Sequence, residues 1–143
     1  MVLATNSPWL DRVRLRTLLA IFALSSAIVC LEFFIQPGFW ISVYGGVDEP
    51  QARFLYRLLG AVFGGFAVMA WNARKAGPSS AREAMVRGLV AVNLLVSALA
   101  VSAALSGIYN QFAWGAALAF GAFGIGFLRA TDSTYVVRTS DPR

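Results

Sequence analysis

The chain has 143 residues, 58% of them hydrophobic and only 13% charged, with a formal net charge of +5. Soluble domains carry roughly 25% charged residues. Here no charged side chain lies between Arg87 and Arg129, and a water-soluble domain of this size has too little interior to bury that stretch. The positive charge does not indicate nucleic acid, because the basic residues sit at the ends of apolar segments and are not interleaved with stacking aromatics. The absence of histidine removes imidazole-ligated haem, the common zinc sites and catalytic triads built on imidazole.

In chain order, Ser7-Pro8 has the pattern of a cap and first helical turn. It predicts an interfacial helix, with Trp9 and Leu10 at a membrane surface, running into a first span over 17–35. Ser25-Ser26-Ala27 offers small residues of the kind cleaved in signal peptides, but the segment reads as a retained span. The one cysteine, Cys30, reads as a small buried hydrophobe. The following connection, 37–51, places Phe39, Trp40, Val43 and Tyr44 at helical spacing before Gly45-Gly46. That pattern predicts a short interfacial helix between spans one and two.

A second span is expected over 54–71, stopped by Gly77-Pro78. Ser80 with Glu83 forms a capping box ahead of a third span over 84–105. Ser106-Gly107 ends that span and Asn110 caps a fourth over 112–128, so spans three and four form a tight hairpin. A polar tail, 131–143, follows. Each span approaches the ~20 residues that a helix needs to cross hydrocarbon. The expected fold is therefore all-α and integral to the membrane: one domain, a four-transmembrane-helix up-down bundle.

Ten of the 12 Lys and Arg lie on one side of these spans: Arg12, Arg14, Arg16, Arg74, Lys75, Arg82, Arg87, Arg129, Arg138 and Arg143. Arg53 and Arg57 lie on the other, with Asp48 and Glu49. The positive-inside rule then places both termini in the cytoplasm. Trp9, Trp71 and Tyr135 mark the inner interface, and Trp40, Tyr44, Tyr109 and Trp114 the outer one.

Few polar residues could carry a function. Glu32 and Arg57 fall inside spans one and two, each ~5 Å below the outer interface at 1.5 Å per residue, and intramembrane charges tend to pair. An ion pair between them is expected. It either locks two helices together or, with Gln36, Arg53 and Tyr56 nearby, holds a headgroup or an anion. Gly60 and Gly64 share the Arg57 stripe with Val68 and Trp71, facing a stripe of Ser25, Ile28 and Glu32. Asn93, near the midplane, shares a face with Ser97, Ala100 and Ala104 and is expected to hydrogen-bond Ser25 or Ser26. It serves as interhelical glue or as a contact for a bound amphiphile. Span four carries Ala113, Ala117 and Gly121 on one side and Ala122 and Gly126 on another. Two small faces allow two neighbours, one of which can belong to another chain.

The run from Pro37 through Tyr44-Gly45-Gly46, then Arg57-Leu58-Leu59-Gly60 entering span two, resembles small bacterial four-helix membrane proteins of the DoxX-like kind and related families of unknown function. The resemblance implies this fold and a bacterial inner membrane, and carries over no catalytic or binding residue. Without histidine and with one carboxylate in the spans, an enzyme is not expected, nor a metal or cofactor. The expected function is a small accessory or scaffold subunit that packs, among membrane lipids, against a larger membrane complex (respiratory or photosynthetic, for example) or as a homo-oligomer. The alternative is a binding or transport module for a lipid, quinone or other amphiphile.

Overall fold

The computed structural model describes residues 8–138, with side chains described over 13–131. Ser7, the interfacial positions Trp9, Leu10 and Tyr135, and the cations Arg12, Arg138 and Arg143 thus lie outside the described side chains. Five helices follow in order: α1 (Pro8–Ile35), α2 (Pro37–Val43), α3 (Pro50–Ala73), α4 (Ser80–Leu105) and α5 (Phe112–Arg138). No strand occurs among the described residues. Four segments, Val13–Ile35, Pro50–Ala73, Ser80–Leu105 and Phe112–Thr131, are long and apolar enough to cross a bilayer, as the spans of an integral membrane protein must be.

Local chemistry sets the helix ends. Proline opens α1, α2 and α3, where its missing N–H costs nothing and its fixed φ suits a first turn. Pro50 therefore starts α3 four residues ahead of the expected second span. The expected short helix after span one is α2. It ends at Tyr44, and Gly45 takes φ +81°, a left-handed conformation that side chains with a Cβ disfavour. There the Gly45 and Gly46 N–H groups donate to the Ser42 and Ile41 carbonyls at 3.0 and 2.9 Å.

At α4 the capping serine is Ser79, not Ser80: its Oγ accepts from the Arg82 N–H at 3.2 Å. Glu83 instead pairs with Arg87 one turn on, at 2.7 Å. The last helix runs past the expected end of span four into the polar tail. Helix α5 continues to Arg138, because a helix already formed adds each further residue at little cost.

The helices pack as two pairs, α1 with α3 and α4 with α5. The pairs are joined chiefly by α1 against α5, whereas α3 and α4 touch only slightly. The spatial order is α3–α1–α5–α4. The α1–α5 seam is aromatic: Phe22 meets Phe123 and Phe127 edge-on, with centroids 5.1 and 5.4 Å apart, an arrangement that aligns ring edges with ring faces. Around it Leu15, Leu19, Ala23, Ala70, Ala73, Val86 and Leu89 close the core. The outward faces are apolar as well. Leu55, Leu58 and Val68 on α3 and Leu95 and Leu99 on α4 are exposed, a distribution that water opposes and lipid does not.

Close approach depends on small residues. A Cβ on Gly60 would lie 3.0–3.2 Å from Phe34, the Cys30 carbonyl and Phe33, and one on Gly124 would lie 2.7 Å from Leu94. By contrast, nothing lies within 4 Å of a Cβ on Gly65. Gly60→Leu is thus expected to cost about 1–3 kcal/mol through overpacking of α1 against α3, read by reversible unfolding in mixed micelles. Gly65→Ala should change stability by less than about 0.5 kcal/mol in the same assay.

Candidate functional site

The expected Glu32–Arg57 ion pair is not formed. Arg57 is exposed and Glu32 half-buried. No ion pair joins them among the described residues. Helical phase explains this. The face of α1 against α3 carries Cys30, Phe33 and Phe34, which surround Gly60, while Gly64 abuts the Cys30 Sγ. Phe33 also packs against Tyr56, the rings tilted with centroids 5.0 Å apart. At about 100° per residue, Glu32 lies roughly 200° round the helix from Cys30, so it leaves the seam that the two helices share. The expected stripe of Ser25, Ile28 and Glu32 is displaced accordingly. Ile28 is exposed, and the Ser25 hydroxyl donates to its own helix at the Ile21 carbonyl, 2.7 Å away.

Nor do Gln36 and Arg53 gather around this pair. Gln36 is exposed at the start of α2 and makes no side-chain cap. Arg53 forks onto Asp48 instead, Nε to Oδ1 at 2.7 Å and Nη2 to Oδ2 at 2.6 Å. The bidentate geometry draws the loop before α3 against α2. A Cβ on Gly38 would meet the Asp48 Oδ2 at 2.7 Å. The hydrogen bonds from Arg53, aided by its charge, hold the Asp48 carboxyl below its ordinary value of 3.8.

The same end of the molecule has a second clasp. Asn110, read only as a cap, does cap α5 by accepting from the Phe112 N–H at 3.0 Å. Its amide also donates across to the Val43 carbonyl at 2.7 Å, and its own N–H donates to the Tyr44 carbonyl at 3.3 Å. The Tyr44 and Tyr109 rings meet at 5.6 Å. Burial, and then the neighbouring Tyr109, raise the Tyr44 hydroxyl above its ordinary value of 10.0. One asparagine therefore ties the turn of the α4–α5 pair to the connection of the α1–α3 pair. Its pairing across 67 positions of sequence has no local signal.

Asn93 is 1% exposed, buried as a polar residue near the middle of a span requires. It does not reach Ser25 or Ser26. Its Nδ2 donates to the Leu89 carbonyl of its own helix at 2.8 Å, and its Oδ1 is buried with no hydrogen-bond partner. The cross-helix bond from this face comes from Ser97, whose Oγ donates to the Ala117 carbonyl at 2.8 Å. Beside Asn93 is a cavity of about 20 Å³, lined by Phe22, Phe63, Phe66, Val92, Asn93, Val96 and Phe120. It lies where α3 and α4 barely touch and has room for about one water-sized group.

The small residues of α5 are mostly engaged within the fold. Ala113 and Ala117 are buried, and a Cβ on Gly121 would meet the Ser97 Oγ at 3.1 Å. Gly126 faces Leu18 of α1 at 3.2 Å, while Ala122 is exposed. Open small positions occur on three helices: Ala61 and Gly65 on α3, Gly88 on α4, and Gly115 with Ala122 on α5. No family model, curated protein or solved structure matches this chain.

The depressed Asp48 value links the Arg53 fork to pH. Its contribution is present above the unfolded carboxyl value and is lost as pH falls through the lower folded value. Carboxyl titration by NMR should place the Asp48 midpoint below 3.8, returning toward that value in Arg53→Gln. Asn110→Ala removes both the cap and the cross-pair clasp. A loss of about 1–3 kcal/mol is expected in micellar unfolding, with the α2 amides losing hydrogen-exchange protection first.

Proposed function

We propose that this chain is a small non-catalytic integral membrane protein whose four long helices form an up-down bundle with both termini cytoplasmic. It acts as an accessory or scaffold subunit, packing through the outward face of α3 against another membrane-embedded chain. A bacterial inner membrane is its proposed location. One observation carries this reading. Arg57 is a charge within an apolar span, exposed and without an ion-pair partner in its own chain among the described residues. A charge held at such a position tends to acquire a partner. Ala61 and Gly65, one and two turns further along the same stripe, leave the backbone open to a second helix, which small residues favour in lipid. The rows of basic residues at the α3–α4 turn support the orientation.

The test is a photo-crosslinking residue at Ala61 in native membranes, compared with one at Leu118, exposed on α5. The reading predicts a protein adduct from position 61 that Arg57→Gln reduces, and little from position 118. Lipid adducts alone from position 61 would remove it. Cysteine labelling in intact cells, with Cys30→Ser as background, should find Val47→Cys accessible from outside and Gly77→Cys only after permeabilisation.

A second reading rests on Asn93: a site for an amphiphile, such as a quinol or lipid alcohol, that brings a hydrogen-bond donor into the α3–α4 seam. The unpartnered Oδ1 beside the aromatic-lined cavity supports it, since a buried acceptor without a donor costs about 1–3 kcal/mol. On this reading Asn93→Leu raises the stability of the ligand-free protein and removes an amphiphile that co-purifies with the wild type. If lipid extracts of the two proteins contain the same bound species, Asn93 is not its site.

A further inference from the structure

We propose that the chain received on the α3 face is a second copy of this protein, with Arg57 of one protomer paired to the partner's Glu32. The inference rests on the packing role proposed above and names the partner. Three observations carry it. First, the two charges stand at one level. Gly60 is seated against Cys30, Phe33 and Phe34, and Tyr56 against Phe33, so Glu32 and Arg57 lie within about one helical turn of each other along the bundle. Second, they face different ways. Arg57 is exposed on α3, whereas Glu32 is turned to the flank of α1 away from the α3 seam, roughly 200° from Cys30. Third, neither is otherwise satisfied. Among the described residues neither side chain makes a hydrogen bond or ion pair, while the nearest other cation, Arg53, is committed to Asp48.

Opposite charges inside apolar spans attract strongly and avoid remaining single. A protomer with one of each, at one level and on different faces, is complementary to its own copy. The open backbone at Gly65 and the exposed Ala61 let a neighbouring helix approach beside Arg57. Because the two faces differ, the contact is head-to-tail, and its repetition builds a closed ring or an open row of three or more chains. A twofold dimer would need both charges on one patch.

The experiment is native mass spectrometry of the purified full chain released from nanodiscs, wild type beside Glu32→Gln, Arg57→Gln and the exchanged double variant Glu32→Arg/Arg57→Glu. The expected wild-type mass is three or more chains. Each single variant should weaken association roughly tenfold or more, as loss of one partner of a desolvated pair does, and the exchanged variant should restore it. Helical circular dichroism of each variant separates lost assembly from lost folding. A wild-type mass of one or two chains overturns the proposal. So does an oligomer indifferent to both single variants, or an exchanged variant that folds but stays dissociated. The crosslink at position 61 separates this inference from the reading beneath it. An adduct of two copies of this chain supports both. An adduct with a different membrane protein, from a chain that is monomeric when purified, overturns the self-pairing and leaves the accessory role. Lipid adducts alone overturn both.

Discussion

Phe22 of α1 sits edge-on to Phe123 and Phe127 of α5, and the rest of the architecture depends on that contact. The α1–α3 and α4–α5 pairs are each extensive, but α3 and α4 scarcely meet. The two pairs become one body through the aromatic seam, the core around Leu19 and Leu89, and the Asn110 clasp at the α2 end. Two kinds of contact join the helices, van der Waals fit and interhelical hydrogen bonds, the two that would remain between helices in hydrocarbon. Ring edges against ring faces provide the first. Asn110 and Ser97 provide the second.

This division of labour leaves the polar residues with unequal roles. Asp48, Arg53 and Asn110 are satisfied and hold the connections between helices. Asn93 is half satisfied, with a donor used and an acceptor unused. Glu32 and Arg57 make no side-chain pair among the described residues. These groups stand on three helices: Glu32 on the flank of α1, Arg57 exposed on α3 and Asn93 of α4 along the weakly packed α3–α4 seam. Helices α3 and α4 are each tied to the molecule mainly through one neighbour, α1 and α5 respectively.

Much of the fold is legible in the chain. The four apolar segments, the short helix with Phe39 and Trp40, and the cap at Asn110 all follow from composition and local chemistry. The helix starts are read less well: the α4 cap is expected at Ser80 and falls at Ser79, and α3 starts at Pro50, ahead of the apolar run that hydropathy marks from 54. The candidate site was less legible than the fold. Glu32 and Arg57 are conspicuous as charges in apolar runs, but depth along a span does not give direction around it. An error of about 100° in helix phase is enough to turn an internal pair into two outward charges. Asn93 was recognisable as buried, yet its amide turns to the Leu89 carbonyl one turn back, a choice that depends on which neighbour comes within reach.

By itself, then, the sequence determined the number of long apolar helices, their approximate ends and the scarcity of polar groups between Arg87 and Arg129. These properties depend on residues within a few positions of one another. Tertiary structure alone decided that α5 packs on α1 while α3 and α4 stay apart, that the small residues Ala113, Ala117 and Gly121 are used inside the fold, and that Glu32 and Arg57 do not meet. Those outcomes depend on the rotation of each helix about its axis. That rotation is set by the sum of many shallow contacts between surfaces that are apolar almost all round, so no short stretch of sequence encodes it.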